Sequence, residues 1–438
     1  MRRLPAGVVD SGFASVATFI VGISAVNLFD EVGLGVYAIF FSAFVMGALL
    51  SNELIFTPAE VEAVSYPVSE RVSFVPQSLR LGVGPCLLGA AASLLAIAVT
   101  SAYAGPQMVA GLAATAAVAT VLSPMQDHVR RMLHISSLSW TAASVSIVQF
   151  LAVVICVSWG IAADLPAAWI PFGSLAVANA VSLALGLMLV RHNTVGKAKV
   201  RLRFRVLASK GVWFVLNAAA PAVMGFAVAS LIAWLASPED LGYAEAARVV
   251  AQPILVLATG LKVVLYPRSV GAAMDRDLPS ARRTNSTYLV AIGVGGAAYL
   301  LLVGWDWVLN PMAVIAPDAY VLTGLVALTI VANLANAAWF LQSSELAGAR
   351  RERSLAGISW ITSLMWLIAA LTASVTGAYA RPLGALAGAG VRYGAQIRVL
   401  RSVYRSADVA ASPPDQAKGD SDHLSHDRGD GTTSGDAV

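Results

Sequence analysis

Charged residues are scarce in this sequence of 438 residues. Asp, Glu, Lys and Arg make up 12% of the chain, whereas hydrophobic residues make up 58% and the mean hydropathy is +0.73. A soluble globular domain carries about 25% charged residues, because its surface must be covered with them. The composition therefore excludes a soluble protein of this length and indicates an integral membrane protein.

Cysteine is also rare, with Cys86 and Cys156 as the only two in the chain. Both lie in apolar stretches, where a thiol behaves as a small apolar side chain, so a disulfide or cysteine–metal framework is excluded. His423 and His426 lie in a polar tail without further ligands, and we expect no metal site. No phosphate-binding Gly-rich loop with its lysine occurs, which excludes ATP as the fuel within this chain. We expect no cofactor.

Apolar blocks of roughly twenty residues follow one another from Ser11 to about Leu400. Uncharged stretches of this length satisfy their backbone in hydrocarbon only as helices, so the chain is predicted to be an all-α membrane protein. The pattern predicts twelve membrane-spanning helices, at residues 11–29, 34–56, 80–101, 107–124, 139–162, 167–190, 211–235, 244–266, 286–305, 319–341, 355–377 and 381–400.

Lys and Arg concentrate in every second loop of this arrangement, as in the pairs Arg130 and Arg131, Arg282 and Arg283, and Arg350 and Arg351. Cytoplasmic loops collect these residues, so both termini are predicted to lie in the cytoplasm. His128 and His134 fall in one of the basic loops, where we expect them to be solvated.

The densest basic segment, residues 191–210, divides the chain into two sets of six helices. The predicted organisation is a first lobe at residues 1–190, this cytoplasmic loop at 191–210, a second lobe at 211–405 and a disordered cytoplasmic tail at 406–438. The halves share a short repeat, since Leu34-Gly35 and Leu241-Gly242 both follow acidic turns at an offset of 207 residues. Six helices separate them, so the repeat is parallel and predicts a pseudo-two-fold axis along the membrane normal.

Several short motifs resemble bacterial polysaccharide flippases of the multidrug/oligosaccharidyl-lipid/polysaccharide exporter superfamily. These motifs are Asp10-Ser11-Gly12-Phe13-Ala14-Ser15, Leu34-Gly35-Val36-Tyr37-Ala38, Leu241-Gly242-Tyr243, Arg248, Gln252-Pro253 and Tyr266-Pro267-Arg268. The resemblance implies two six-helix lobes in a V around a central cavity. It also implies a transporter, not an enzyme, that flips an undecaprenyl-diphosphate-linked oligosaccharide by alternating access for cell-surface polysaccharide biosynthesis.

The same resemblance implies a multi-pass protein of the bacterial plasma membrane. Its expected partners are the anionic lipid-linked oligosaccharide, membrane lipids, and glycosyltransferases or a polymerase of the same pathway. We expect a monomer with no nucleic-acid partner. Coupling to H⁺, Na⁺ or the membrane potential stays open.

Ionisable residues inside the predicted helices are candidates for the substrate site, because each is costly in hydrocarbon unless it faces water, a partner or a substrate. Arg392 lies roughly 16 Å beyond Arg381 along a helix, near the bilayer centre, unless the last span is short and Arg392 extends to the interface. Arg248 shares a helix face with Glu245, either at the site or as a self-contained ion pair. We expect Arg392, Arg248 and Glu245 at the site, with the arginines contacting the diphosphate.

Glu53 and Lys262 lie at nearly equivalent places in the repeat, close to the cytoplasmic ends of helices 2 and 8. We therefore expect them to form a gate that closes the cytoplasmic side when the cavity opens outward. Two independent side chains that extend to the interface are the alternative.

Two other functions fit a chain of this kind. A cation-coupled multidrug antiporter of the same superfamily is expected to hold an acidic ion site deep in the first lobe, yet the predicted first helix, residues 11–29, has no carboxylate. A polysaccharide polymerase or ligase usually has a large extracytoplasmic loop, and every predicted outer loop is short.

Overall fold

The computed structural model describes residues 3–194, 201–305, 307–314, 316 and 324–411, and every regular element in these ranges is helical. The first lobe has the helices α1 Arg3–Leu28, α2 Glu31–Ser51, α3 Val75–Ser93, α4 Pro106–Ile135, α5 Ser139–Ala162 and α6 Ile170–Asn193. The second lobe has α7 Phe204–Leu235, α8 Pro238–Met274, α9 Leu278–Val303, α10 Leu325–Ala338, α11 Glu352–Ala370 and α12 Ala380–Ala411.

Shorter segments extend several of these helices. A π-helical turn at Asn52–Phe56 and a helix at Thr57–Val64 continue α2, Leu95–Thr100 continues α3, and Phe340–Gly348 continues α10. Within the described ranges, eleven helical stretches are long and apolar enough to cross a membrane, one for each of α1 to α11. The exception is α12, which carries several arginines and packs against α10 and α11. The predicted all-α membrane fold is confirmed.

Several helices are longer than predicted, because they continue beyond the apolar stretch and include polar residues at their ends. α1 begins at Arg3 and therefore contains Asp10. α7 begins at Phe204, inside the segment predicted as the basic loop. α12 continues to Ala411, six residues into the predicted tail. The rest of that tail, with His423 and His426, and residues 195–200 and 317–323 lie outside the described residues.

The starts of α2 and α8 show the repeat in atomic detail. The Asp30 carboxylate accepts a hydrogen bond from the Gly33 N–H at 2.8 Å and caps α2, and the Ser237 hydroxyl accepts one from the Asp240 N–H at 3.1 Å and caps α8. Short polar side chains at this position satisfy backbone donors that have no partner within the helix. Asp30 and Ser237 are separated by the same 207 residues as the two Leu-Gly pairs.

The two Leu-Gly pairs meet at the lobe interface. A Cβ added to Gly35 would collide with the backbone carbonyl of Pro238, and one added to Gly242 would collide with the carbonyl of Glu31. Glu31 and Pro238 are again 207 residues apart, so the contact is reciprocal, as expected about a two-fold axis. Only glycine allows the α2 and α8 backbones to approach this closely.

The hydrophobic cores show where the lobes meet and where they separate. One core is shared between the lobes near the starts of α2 and α8, and it includes Leu34 and Leu241. Towards the opposite, basic end, the first lobe has a core around Phe56 that only the start of α7 joins. The second lobe has its own cores there, around Tyr288 and Leu346. The lobes are therefore closed together at the acidic end and have separate cores at the basic end.

The glycine contact generates a testable prediction. Gly242→Ala should lower the unfolding temperature of the purified protein, because overpacking a tight contact costs about 1–3 kcal/mol. Gly260→Ala is the matched control on the same helix, since nothing lies within 4 Å of a Cβ at that position. The control should be neutral or stabilising by up to about 1 kcal/mol. Equal effects of the two substitutions would contradict the reciprocal contact.

Candidate functional site

A cavity of about 430 Å³ lies within the second lobe, between α7, α8, α10, α11 and α12. On α8 and α12, the polar residues that line the cavity are spaced by whole turns and therefore lie on one helix face. α8 contributes Arg248 and Gln252, one turn apart. α12 contributes Arg381 and Arg392, three turns apart. The remaining polar and aromatic lining comes from α10, its extension and α11: Thr329, Asn333, Asn336, Trp339, Phe340, Thr362, Ser363 and Trp366.

A buried carboxylate organises the end of the cavity nearest the start of α8. Glu245 is fully buried and accepts two hydrogen bonds from Arg248, from Nε at 2.8 Å and from Nη2 at 2.6 Å. Arg381 donates a third from Nη1 at 2.7 Å. Charge-assisted hydrogen bonds of this kind are the strong ones, and a charge held in a membrane protein needs them. Glu245 thereby ties α8 to α12 and fixes two guanidinium groups.

Arg248 also contacts the first lobe. Its Cζ lies 4.5 Å from the ring centroid of Phe41 on α2, a cation–π geometry. The predicted pairing of Arg248 with Glu245 is therefore part of a larger cluster. The cluster spans α8, α12 and, through Phe41, the facing lobe.

Arg392 lies in the cavity, twelve residues after the start of α12. Its Cζ is 3.4 Å from the ring centroid of Trp339, and its Nη2 donates to the Ser359 hydroxyl at 3.1 Å. Its Nε has no hydrogen-bond partner, and no carboxylate of the described residues forms an ion pair with it. A guanidinium group without a counter-ion inside a membrane protein is costly unless a ligand or water meets it.

The balance of charge in the cavity is positive. Three arginines line it, Arg248, Arg381 and Arg392, and none of the described lining residues is Asp or Glu. Glu245, behind the lining, offsets one of the three charges. The arrangement therefore suits an anion, with aromatic faces and amides beside the charges to contact a polar organic group.

Glu53 and Lys262, predicted as a gate, lie apart in this conformation. Lys262 extends over the ring of Phe340, a residue that lines the cavity, with Nζ 5.6 Å from the ring centroid. Glu53 lies in the π-helical turn after α2, next to Asn52, whose side-chain oxygen accepts from Arg131 at 3.2 Å. No ion pair joins Glu53 to Lys262 within the described residues.

Arg381 was not predicted as a site residue, although the last predicted helix, residues 381–400, begins with it. Pro382 supports that start, because proline favours the first turn of a helix. The structure adds a second reason for this start. The Asp240 carboxylate accepts from the Ala378 N–H at 3.1 Å and holds the chain just before α12 against the start of α8.

The first lobe contains polar side chains that were expected to be solvated. Asp10 is buried in α1 and accepts hydrogen bonds from His134 at 2.9 Å, Arg130 at 3.2 Å and Ser146 at 2.6 Å. His134 is only partly solvated, with 25% of its side chain exposed, because α4 continues past the predicted helix end and brings His134 against Asp10. The first helix therefore does contain a carboxylate, that of Asp10, and its oxygens already accept these three hydrogen bonds.

His128 is also buried, contrary to expectation. Its Nδ1 lies 2.9 Å from Glu60 Oε1, its Nε2 lies 2.6 Å from the Ser78 hydroxyl, and its ring stacks on Phe56 at 4.6 Å. Every one of these groups has a partner, so the network joins α3, α4 and the extension of α2. It is a packed internal connection with no described cavity at it.

The Glu245 cluster predicts strong coupling between α8 and α12. Glu245→Gln should destabilise the protein by about 3–5 kcal/mol, because it leaves buried guanidinium groups without their counter-ion. Adding Arg381→Gln should restore part of the loss in a double-mutant cycle of unfolding. Glu239→Gln, exposed on the same helix, is the control and should change stability by less than about 0.5 kcal/mol. Simple additivity of the two changes would contradict the cluster.

The fold is similar to solved structures of membrane transporters. An inward-facing multidrug resistance transporter of the MATE family superposes with a TM-score of 0.67, over 92% of this chain and 96% of its own, at 11% identity. A MOP superfamily transporter from Pyrococcus furiosus gives 0.62 over 92% and 95%, at 13% identity. The eukaryotic MATE transporter AtDTX14 gives 0.64 over 93% and 97%, at 14% identity.

No family model and no curated protein sequence matches the chain. At these levels of identity the likeness concerns the fold. The chain has the all-helical fold of the MOP superfamily transporters, with two six-helix lobes.

Proposed function

We propose that the protein is a flippase that moves an undecaprenyl-diphosphate-linked oligosaccharide across the bacterial plasma membrane by alternating access. The observation that carries the proposal is Arg392, a guanidinium group in the cavity without a counter-ion among the described residues. A diphosphate supplies the missing charge, and arginine recognises it with paired donors. The polyprenyl tail stays in the lipid while the sugars cross in water.

The lining supports this class of substrate in two further ways. Trp339 and Trp366 present aromatic surface, and the amides of Asn333 and Asn336 lie among the polar groups. Aromatic faces beside a few convergent polar groups suit a sugar, which has an apolar face and a rim of hydroxyls. The oligosaccharide and its diphosphate would thus contact different parts of one cavity.

The multidrug antiporter is the second candidate, because the fold is shared with multidrug resistance transporters. The charge of the cavity is the observation that favours the flippase. A cationic drug would be repelled by Arg248, Arg381 and Arg392, since no carboxylate lines the described cavity. For the Pyrococcus furiosus transporter, a reversed polarity of the binding pocket suggests a different function, and we apply the same reasoning here.

The Lys and Arg distribution supports an orientation with the basic end and both termini in the cytoplasm. In that orientation the shared core and the glycine contact close the outer side, which corresponds to an inward-facing state. Glycosyltransferases or a polymerase of the same pathway would supply and consume the substrate, and the transporter would act as a monomer.

Arg392 provides the direct test of this function. Arg392→Ala should abolish polymer export while the protein is still made and inserted, because the anion loses a counter-charge, and Arg392→Lys should retain part of the export. Arg398→Ala is the matched control, an exposed arginine on the same helix that does not line the cavity. Export is measured as surface polysaccharide relative to the amount of inserted protein. Full export by Arg392→Ala would remove Arg392 from the site.

The gate predicts a second functional result. Single charge reversals at Glu53 and Lys262 should impair transport, and the exchanged pair Glu53→Lys with Lys262→Glu should recover a measurable part of it. A partly hydrated ion pair biases two conformations by about 1 kcal/mol, which changes the rate without destroying the fold.

The control exchange is made at Glu62 and Lys210, whose side chains already form an ion pair at 2.9 Å in this state. The readout is the transport rate of each variant relative to the unaltered protein. If the Glu53 and Lys262 exchange gives only the product of two separate defects, these residues act independently and form no gate.

A further inference from the structure

A second cavity, separate from the substrate site, lies in the second lobe at the basic end of the molecule. It has a volume of about 560 Å³ and lies between the first turns of α9, the extension of α10 and residues 393–404 of α12. Ligand cavities in proteins typically measure about 300–1,000 Å³, so this one has room for a small polar group. Its polar lining is Arg282, Asn285, Gln342, Glu345, Tyr393, Arg401 and Tyr404.

In this second cavity the positive and negative charges lie at different depths. Arg282 and Arg401 are exposed and therefore form its rim, whereas Gln342 and Glu345 are buried and form its floor. A ligand that enters from the membrane interface meets positive charge first and negative charge behind it. This order suits a zwitterion whose cationic end goes in first.

The floor contains a carboxylate without a counter-ion and two amide oxygens without donors among the described residues. Glu345 is 4% exposed and forms no ion pair with any described residue, and the Tyr404 hydroxyl lies close enough to interact with it. The side-chain oxygens of Gln342 and Asn285 are buried and have no hydrogen-bond partner in the described part of the chain. A buried carboxylate without a counter-ion and amide oxygens without donors are costly in a protein interior. A primary ammonium group has three N–H donors and one positive charge, which matches these three acceptors.

The rim completes the match. Guanidinium groups bind phosphate with paired, charge-assisted hydrogen bonds, and two of them are present at the entrance. The side chains of Leu278 and Leu400 line the same cavity and offer apolar surface at the interface. The cavity therefore presents, from floor to rim, sites for an ammonium, a phosphate and the beginning of an acyl chain.

We propose that this second cavity binds the headgroup of a phospholipid that carries a primary amine, phosphoethanolamine, from the leaflet at the basic end. The ammonium group contacts Glu345, Gln342 and Asn285, and the phosphate contacts Arg282 and Arg401. A choline headgroup has the same charges but no N–H donors, and a glycerol headgroup has no cation. The site thus discriminates by hydrogen bonding at its floor. It is independent of the substrate that the central cavity transports.

The first experiment requires no substitution. Delipidated, purified full-length protein is titrated with phosphatidylethanolamine and its mono-, di- and trimethylated forms with identical acyl chains, and bound lipid is counted by native mass spectrometry. Binding should weaken stepwise with each methyl group and reach about a tenfold loss for the choline lipid. Equal binding along the series, or tighter binding of phosphatidylglycerol, would overturn the proposal.

A second experiment assigns the preference to this cavity. Glu345→Gln should bind the ethanolamine and choline lipids equally, whereas Arg282→Gln should weaken both to a similar degree. Arg283→Gln is the matched control, since Arg283 is the exposed neighbour of Arg282 and does not line the cavity. A preserved ethanolamine preference in folded Glu345→Gln would place the lipid elsewhere and overturn the assignment.

Discussion

The ion cluster at Glu245 is the interaction on which the functional part of the structure depends. One fully buried carboxylate holds Arg248 and Arg381, and so joins α8 to α12. Without it, two guanidinium groups in a membrane protein would repel each other and lose their only described counter-ion. With the Glu245 carboxylate in place, the two arginines stay charged beside the cavity without a large desolvation penalty. Arg392 adds a further charge for which the described residues provide no counter-ion.

A second constraint is geometric and comes from the internal repeat. The caps at Asp30 and Ser237 and the glycine contacts at Gly35 and Gly242 are related by one offset of 207 residues. A contact made of equivalent backbone segments can open and close as a unit, because each side provides the same surface. The Arg248–Phe41 contact lies between the same two helices. Closure of the lobes therefore bears directly on the geometry of the charged site.

Much of the fold was predictable from the sequence, since hydrocarbon allows few backbone structures and the Lys and Arg pattern counts the helices. The repeat was visible in two Leu-Gly pairs. Arg392 and Arg248 were predicted as site residues because charge is rare in apolar helices, and both line the cavity. Arg381 and the pairing of Asp10 with His134 were missed, because periodicity locates helix ends poorly and does not show which distant side chains meet. The polar floor of the second cavity likewise depends on packing between three helices.

A transport assay with purified protein in liposomes tests the central claim most directly. Two substrates are compared in the same vesicles: a fluorescent oligosaccharide linked by diphosphate to a polyprenol, and a cationic dye under an imposed H⁺ or Na⁺ gradient. The cationic cavity predicts accelerated flipping of the diphosphate-linked lipid over protein-free vesicles and no movement of the dye. Gradient-driven dye transport without acceleration of lipid flipping would contradict the account.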